Sequence, residues 1–401
     1  MKIENLKNCN MNNFYLPLMS DNIDKEDIKS LINFLDQEQI PKLTNGPKVI
    51  EFEKNWGKWL GTKYNLMTNS GASANELTML ALNYIHGEGE IIVPPLTWIS
   101  DISSVIFSGF KPVFVDINLK NLSFDINKLK EAITPQTKAI FLTHVLGINA
   151  LTEELVNLCE EKGILLIEDV CESHGVTFKE QKVGSIGFAS NFSFYFAHHM
   201  STIEGGMICT NDEHFYQVCR ALRSHGMTRE MINEDFKQKI IDENPDLNKD
   251  FIFLHPAHNF RSTELNAVIG LSQLKKLDTN NIVRKSNFEF FIKNLDSNKY
   301  ITDLEIEGQC NYAFIVILKE GSFELRDKIE TTLKEKGIEF RRGLSGGGNQ
   351  LRQPFFKKNY NINYDDFKNI DHIHHFSWYI GNYPTLGKEK ISTLINILNN
   401  I

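Results

Sequence analysis

Two acidic side chains stand at the end of an apolar run near the middle of the chain. Residues 165–170 read LLIEDV, so Glu168 and Asp169 follow three consecutive aliphatic residues. In open α/β sheets, ligands bind beyond the carboxyl ends of the strands. An aspartate at that edge can hold the nitrogen of a pyridine-type ring protonated, which makes the ring an electron sink. Because aspartate also caps helices, the residues alone leave both interpretations open.

A second candidate segment is rich in small residues. Residues 69–74 read NSGASA between an apolar strand and a helical pattern, which places Gly71, Ala72 and Ser73 where a helix begins. Small side chains let backbone N–H groups approach an anion, and a helix N-terminus adds positive potential. A simple helix cap would have the same composition, so this segment alone is a weak indication.

A third segment carries two adjacent histidines. Residues 192–206 read FSFYFAHHMSTIEGG, with Ser193 at the end of a strand candidate and His198 and His199 shortly after it. Imidazole titrates at a pKa of about 6.5, so it can take up and release protons near neutral pH. The chain contains no lysine between Lys182 and Lys237. The two histidines are therefore the candidate acid–base groups of this segment.

These segments lie in an alternating pattern of strand and helix candidates. Strands are predicted at 64–68, 90–93, 111–116, 139–143, 165–169, 189–193 and 207–210. Helices are predicted at 24–35, 49–60, 74–85, 151–161 and 214–222. Because several of these strands are apolar throughout, the pattern indicates a largely parallel sheet that is covered by helices on both faces.

The composition changes after a long helical pattern that begins at residue 262 and extends to 277 or as far as 295. A strand (313–318), a helix (324–336) and Gly-rich and Tyr-rich loops follow. We predict a large domain over residues 1–260, and the long helix with a smaller α+β domain over residues 261–401. The polar stretch 228–250 is expected to be an excursion at the edge of the site.

Charge and composition argue against several classes of protein. Forty-three basic and 51 acidic residues give a net charge of −8, whereas nucleic-acid binders usually show a basic excess. No stretch reaches the roughly 20 apolar residues of a membrane span, and the first residues lack the apolar core of a signal peptide. We expect a soluble cytoplasmic protein without nucleic-acid or membrane partners. The cysteines show no metal-ligand spacing and are expected to be reduced: Cys9, Cys159, Cys171, Cys209, Cys219 and Cys310.

The third segment resembles the DegT/DnrJ/EryC1/StrS family of sugar aminotransferases, which have a pattern similar to SFxxxKxxxxGEGG. With Ser193 and the Glu-Gly-Gly of residues 204–206 aligned, the Schiff-base lysine of that family falls on His198, and Ile203 replaces a usual glycine. Further motifs support the resemblance, which covers about residues 16 to 386. They are TNGP (44–47), SGAS (70–73), PLTW (95–98), EDVCESHG (168–175), and NFRSTELN (259–266) with Gln273-Leu274.

The resemblance implies a fold-type-I, aspartate aminotransferase-like enzyme that uses pyridoxal 5′-phosphate or pyridoxamine 5′-phosphate. Since histidine cannot hold this cofactor covalently, binding would be non-covalent, and His198 would act as the acid–base catalyst together with Asp169. His199 is the rival for this role. The phosphate would lie against Gly71, Ala72, Ser73 and Ser193. The ring would contact Trp98 and Asp169, with Glu172 near its phenolic oxygen in place of a glutamine.

A histidine at the lysine position marks a sub-branch of the family, the 4-keto-6-deoxy-sugar 3-dehydratases. Residues 348–354 and 377–384 also look like that branch. The resemblance implies removal of the C3 hydroxyl of a nucleoside-diphosphate 4-keto-6-deoxyhexose, as in the deoxysugar pathways of lipopolysaccharide O-antigens, with L-glutamate reloading the cofactor amine. One group of these enzymes carries an iron–sulfur cluster. Cys219 and Cys310 stand isolated, so we expect no cluster and the GDP-sugar type.

Further residues are assigned by the same resemblance. Asn259 would reach the cofactor phosphate of a neighbouring subunit, which implies a homodimer with shared active sites. Arg341, Asn349 and Arg352 are candidates for contacts with the substrate diphosphate or the glutamate carboxylate. These three assignments are the weakest, because surface arginines are common.

Two other functions stay open, and two motifs receive simpler interpretations. The chain could be an aminotransferase that works without its lysine, or a non-catalytic protein that binds pyridoxal phosphate or a sugar nucleotide. The HxHH motif at 372–375 lacks a carboxylate or thiolate partner, so a solvated loop is expected rather than a metal site. Gly346–Gly348 lacks a following lysine, so it is interpreted as a flexible loop.

Overall fold

A computed structural model describes residues 14–401, and Cys9 lies outside that range. Its main sheet has seven strands in the order β1-β9-β8-β5-β4-β2-β3. β9 is antiparallel to both of its neighbours, and the other six strands run in one direction. The expectation of a mostly parallel sheet is therefore confirmed. The strands are β1 Tyr64–Thr68, β2 Glu90–Val93, β3 Lys111–Phe114, β4 Thr137–Thr143, β5 Leu165–Asp169, β8 Ala189–Ser193 and β9 Gly206–Thr210.

Helices cover both faces of this sheet, and two apolar clusters lie between the layers. One cluster includes Trp56, Leu142 and Phe192, and the other includes Leu77, Phe141 and Ile167. Since β4 and β5 are buried on both faces, their sequences are continuous apolar runs instead of alternating ones. The helices are α1 Lys25–Leu35, α2 Pro47–Leu60, α3 Gly71–His86, α4 Ile99–Phe107, α5 Ile126–Ala132, α6 Glu153–Lys162, α7 Glu213–Leu222 and α8 Glu234–Glu243. A two-stranded hairpin (β6 Thr177–Phe178, β7 Gln181–Lys182) follows β5.

The long helix α9 (Glu264–Asn294) leads from the large sheet to a second core. There a three-stranded antiparallel sheet has the order β10-β12-β11 and packs with Phe291 and Trp378 in its own apolar cluster. The remaining elements are β10 Ala313–Ile317, α10 Phe323–Glu335, β11 Phe340–Arg342, α11 Pro354–Asn359, α12 Lys368–Phe376, β12 Ser377–Gly381 and α13 Lys388–Asn399. Two sheets with separate cores agree with a large and a smaller α+β unit.

The N-terminal segment before α1 packs against the C-terminal part of the chain. Leu16 is fully buried and pairs with Ile338, and a side chain at Gly381 would collide with the Leu18 carbonyl. Asn22 then donates its Nδ2 hydrogen to the carbonyl oxygen of His198 over 2.6 Å. This segment therefore joins the small sheet to the histidine segment.

One expectation about local structure was wrong, and several elements were not predicted. The HxHH motif lies in helix α12 and not in a solvated loop. Residues 377–381 form strand β12, which was not predicted. The polar stretch 228–250 contains helix α8. Helices α4 and α5 were not predicted, because α4 mixes serines with its apolar residues and α5 is short. Within residues 14–401, none of the helices combines the length and apolar character needed to cross a membrane.

Candidate active site

Asp169 lies at the carboxyl end of β5, where the sequence pattern placed it. Its Oδ1 accepts a hydrogen bond from the Cys171 amide (2.8 Å), and its Oδ2 accepts one from the Asn75 side chain (2.9 Å). The carboxylate is nearly buried, with 4% of the residue exposed. These two donors fix the orientation of the carboxylate at the edge of the sheet.

A second carboxyl group, Asp101 on α4, lies beside Asp169 and was not found by sequence reasoning. Its Oδ1 accepts a hydrogen bond from the same Asn75 amide at 2.8 Å, and its Oδ2 accepts one from the Thr143 hydroxyl at 2.8 Å. Thr97 also donates to Oδ2. Complete burial and the neighbouring Asp169 carboxylate raise the pKa of Asp101 well above its usual range.

The start of α3 and the end of β8 meet in a narrow cradle. A side chain at Gly71 would place its Cβ 2.5 Å from Ser193 Cβ and 3.0 Å from Cys171 Sγ, so glycine is required there. Ser70 caps the helix by accepting the Ser73 amide. The first amides of a helix have no intrahelical partners, so those of Gly71 and Ala72 can bind an anion at this point.

His198 lies in the turn after β8 and is partly exposed. Its Nδ1 is buried and has no hydrogen-bond partner among the described residues. The ring packs edge-on against Tyr312, with centroids 5.8 Å apart. Burial and the Arg284 guanidinium lower the pKa of His198 to about 4, so the imidazole is neutral at pH 7 and can accept a proton.

His199 and His174 form a buried pair behind His198. The two rings are stacked with centroids 5.3 Å apart, and His174 lies 6.1 Å from the His198 ring. His199 is 1% exposed, and its Nε2 lies 2.8 Å from the Cys310 carbonyl oxygen. Desolvation lowers the pKa of both His199 and His174 well below the usual range. Both rings are therefore neutral.

Glu172 lies at the junction of the two sheets. Its Oε2 accepts the Leu146 amide at 3.0 Å, and its Oε1 accepts the Ser345 hydroxyl at 2.8 Å. Burial raises the pKa of Glu172 to about 7. Burial, and after it the Glu172 carboxylate, raises the pKa of Tyr312, which packs against His198.

Trp98 and Asn259 are both exposed near the cradle. Trp98 is 57% exposed and precedes the first residue of α4, the helix that carries Asp101. Asn259 lies in an extended segment whose next residue, Phe260, accepts the Asn69 amide with its carbonyl oxygen. An exposed indole is free to stack on a ring, and an exposed amide is free to reach a second chain.

Two of the three candidate substrate residues are bonded to one carboxylate, and the third is exposed. Asn349 is fully buried; its amide donates to Asp371 and its oxygen accepts from Leu351. Arg352 binds the same Asp371 carboxylate with two nitrogens. Arg341, which bonds to Glu339, is exposed. The structure therefore links Asn349 and Arg352 through Asp371, and it places Arg341 opposite Tyr379 in the pairing of β11 with β12.

No group of three or more possible metal ligands gathers within residues 14–401. The five cysteines in that range are unpaired, and Cys219 and Cys310 are buried on α7 and before β10. The donors at the site are thus carboxylates, amides, hydroxyls and imidazoles. They fit a phosphorylated pyridine ring: free helix amides face an anion at Gly71, and Asp169 can face a protonated ring nitrogen.

The large sheet with one reversed strand, together with this donor set, defines a fold-type-I, aspartate aminotransferase-like enzyme that uses pyridoxal phosphate. The chain belongs to the DegT/DnrJ/EryC1/StrS aminotransferase family, whose model matches residues 21–399.

Three known proteins are similar over nearly the whole chain. GDP-4-keto-6-deoxy-D-mannose 3-dehydratase of Yersinia pseudotuberculosis is 32% identical over 391 residues, which cover 95% of this chain and 98% of that protein. A solved histidine-to-asparagine variant of GDP-4-keto-6-deoxymannose-3-dehydratase with bound GDP-perosamine has a TM-score of 0.86 at 31% identity, covering 96% of this chain and 100% of that one. A structure of the same enzyme with a trapped PLP-glutamate geminal diamine has a TM-score of 0.83 at 30% identity and the same coverage.

Proposed function

We propose that this chain is a pyridoxamine-phosphate-dependent 3-dehydratase of a nucleoside-diphosphate 4-keto-6-deoxyhexose, with GDP-4-keto-6-deoxymannose as its preferred substrate. The observation that carries the proposal is His198, which stands at the lysine position of an aminotransferase family with a neutral and partly exposed ring. The similarity to GDP-sugar dehydratases over 95% of the chain supports the choice of reaction and of nucleotide.

When bound, pyridoxamine phosphate supplies an amine that condenses with the C4 ketone and a ring that accepts electrons. His198 would take up a proton from the C4′ carbon and give it to the departing C3 hydroxyl, which would leave as water. Asp169 keeps the ring nitrogen protonated. A single base that first accepts and later donates the proton needs a ring that is neutral at the start, as a pKa of about 4 provides.

The remaining positions hold the cofactor without a covalent bond. In this proposal the phosphate lies against the amides of Gly71, Ala72 and Ser73 and against Ser193. Trp98 stacks on the ring. Glu172 lies near the phenolic oxygen, where its pKa of about 7 lets it act as a donor or an acceptor.

We assign the catalytic role to His198 and not to His199. His199 is 1% exposed and its Nε2 is bonded to the Cys310 carbonyl oxygen, whereas His198 is partly exposed. A residue that exchanges protons with a substrate must be reachable from the pocket.

The proposal includes the substrates and the assembly. The products are a 4-keto-3,6-dideoxy sugar and ammonia, and L-glutamate restores the cofactor amine as it becomes 2-oxoglutarate.

Arg341, Asn349 and Arg352 remain candidates for substrate contacts, and Asn349 and Arg352 would first have to release Asp371. Exposed Asn259 would reach the phosphate of a second subunit in a homodimer. We place the domain boundary at residues 260 and 261 and the enzyme in the cytoplasm.

The experiment uses purified protein with pyridoxamine phosphate, L-glutamate and a panel of GDP-, CDP-, dTDP- and UDP-4-keto-6-deoxyhexoses. Mass spectrometry should find a 3-deoxy product with the GDP sugar together with 2-oxoglutarate. An aminosugar product would instead establish an aminotransferase, the alternative that family membership favours. If the cofactor binds but none of the sugars gives a product, the chain is a non-catalytic binding protein. Borohydride treatment should leave no cofactor covalently attached to a lysine.

A further inference from the structure

Two buried carboxyl groups, Asp101 and Asp169, share one amide donor at the centre of the site. Asn75 Nδ2 lies 2.8 Å from Asp101 Oδ1 and 2.9 Å from Asp169 Oδ2, so the two oxygens are at most two hydrogen-bond lengths apart. Asp101 is fully buried and Asp169 is 4% exposed. The Asn75 amide therefore bridges the two carboxyl groups, which lie side by side.

We propose that Asp101 keeps a proton in the working enzyme and donates it in a hydrogen bond to Asp169, so that a single negative charge faces the cofactor ring nitrogen. Asp101 is then a positioning residue: it acts on the ring through Asp169. This inference rests on the proposed cofactor site, but the protonation of Asp101 is a property of the protein alone.

Among residues 14–401, none of the side chains that contact the pair is a cation that could balance two charges. The groups around Asp101 are Asn75 on α3, Thr97 before α4, Thr143 on β4, and Asp169 with Cys171 at the end of β5. All of these are neutral except Asp169. Two carboxylates in a buried site cannot both ionise without a large cost, so one of them retains a proton.

The proton belongs on Asp101 because Asp101 is the more deeply buried of the two carboxyl groups. Asp169 accepts a backbone hydrogen bond from the Cys171 amide, and backbone donors favour the ionised form. Asp101 lies deeper, and its burial raises its pKa well above the usual range. A neutral Asp101 has a hydrogen to donate, and Asp169 is the acceptor within reach.

The arrangement has a chemical consequence for the bound ring. Hydrogen bonds from Asp101, Asn75 and Cys171 would hold the Asp169 carboxylate in one orientation. Its single negative charge would then face the ring nitrogen and orient the proton there, so the ring keeps its positive charge. Two ionised carboxylates would instead attract the proton more strongly and bring an unbalanced charge into the site.

The first test needs no cofactor. Infrared spectra of the apo-protein at pH 8.5 should show a protonated carboxyl C=O band that is absent from the Asp101→Asn variant. Glu172 has a pKa of about 7, so it is mostly ionised at this pH and cancels in the difference spectrum. Wild-type and variant spectra without this difference would show that Asp101 is ionised and would overturn the proposal.

The second test measures cofactor binding, by absorbance and fluorescence titration with pyridoxal phosphate. Asp101→Asn retains the shape, the neutral charge and a donor, so its affinity should lie within about twofold of wild type. Asp101→Leu loses the donor, and its affinity should fall by about tenfold or more, as expected when a hydrogen bond to a charged group is lost. Equal weakening in both variants would contradict the proposal.

The two tests also separate this inference from the proposed function. Neither of them requires dehydration, so failure of the sugar assay would leave the Asp101 proton in place. Conversely, an ionised Asp101 in an active dehydratase would refute only the positioning role. If Asp101→Leu does not fold, the infrared comparison and the Asp101→Asn titration still decide the question.

Discussion

The His199 ring donates its Nε2 hydrogen to the carbonyl oxygen of Cys310 over 2.8 Å. Because a carbonyl oxygen only accepts, this bond fixes the tautomer of His199 and holds its ring toward the core. The adjacent His198 has no such bond at Nδ1. The two neighbouring histidines therefore have different environments, and substituting one or the other should have different effects.

Replacing His198 by asparagine should abolish dehydration while cofactor binding persists. Loss of a general base reduces turnover by roughly 100- to 10,000-fold. Product formation by mass spectrometry and the absorbance of bound pyridoxal phosphate measure the two effects separately. His375→Asn, a partly buried histidine on α12, is the matched control and should retain activity. Unchanged dehydration by the His198 variant would refute its role.

The dehydration rate should begin to decline only at a pH far below the usual pKa of histidine. His198 acts as a base in its neutral form, and its pKa is lowered from 6.5 to about 4. The rate with preloaded pyridoxamine phosphate should therefore stay constant as pH falls through 6.5 and decline only as pH approaches about 4. Single-turnover rates between these limits provide the test. A decline centred near pH 6.5 would contradict the assignment.

Acid should also destabilise the fold through the buried histidines. His174, His198 and His199 all have lowered folded-state pKa values, so the unfolded chain binds protons more readily below pH 6.5. The free energy of unfolding should then decrease as pH falls below 6.5. Urea denaturation at several pH values measures this slope, which should be shallower in His174→Leu. An equal slope in that variant would show that His174 does not contribute.

Replacing Gly71 by alanine should weaken cofactor binding. The new methyl group would lie 2.5 Å from Ser193 Cβ, so the two sides of the cradle must separate. Overpacking of this kind costs about 1–3 kcal/mol, which corresponds to a loss of affinity of roughly 5- to 150-fold if the strain falls on the site. Gly387→Ala is the control, since nothing lies within 4 Å of its Cβ position and its φ is −72°.

Ile203 should be a source of backbone strain. It adopts a φ of +72°, a left-handed conformation that is strongly disfavoured for a β-branched residue, at a position where the family usually has glycine. Ile203→Gly should stabilise the protein by about 1–2 kcal/mol, less the small entropic cost of glycine. Thermal unfolding provides the measurement. Ile40→Gly, an exposed position without a positive φ, should show no gain.

The sequence predicted the sheet better than it predicted the site. Strands β1, β2, β5 and β8 have the predicted bounds, because their apolar runs end at clear breaks. Asp101 was missed since it lies on α4, whose serines obscure the helical pattern. Its significance comes from contacts with β4, β5 and α3 across the sheet, and no spacing along the chain reveals that convergence.

The burial and the bonding partners of the arginines could not be predicted either. Arg352 is a plausible anion ligand by type, but in the structure it pairs with Asp371 on α12, 19 positions later in the chain. Conversely, Arg284 is buried without a carboxylate partner among the described residues and lowers the pKa of His198 from helix α9. Burial and partners are set by the packing of distant elements, and a single sequence does not specify them.

The attachment of the N-terminal segment to the far end of the chain affects how this protein is synthesised. Leu16 pairs with Ile338, and Asn22 supports the backbone of His198. During translation, the earliest residues cannot take their final places until the ribosome has released the residues around 338 and 381. His198 therefore gains its full support only when nearly all of the polypeptide has emerged, so in a nascent chain that stalls earlier the segment around His198 would be incompletely packed.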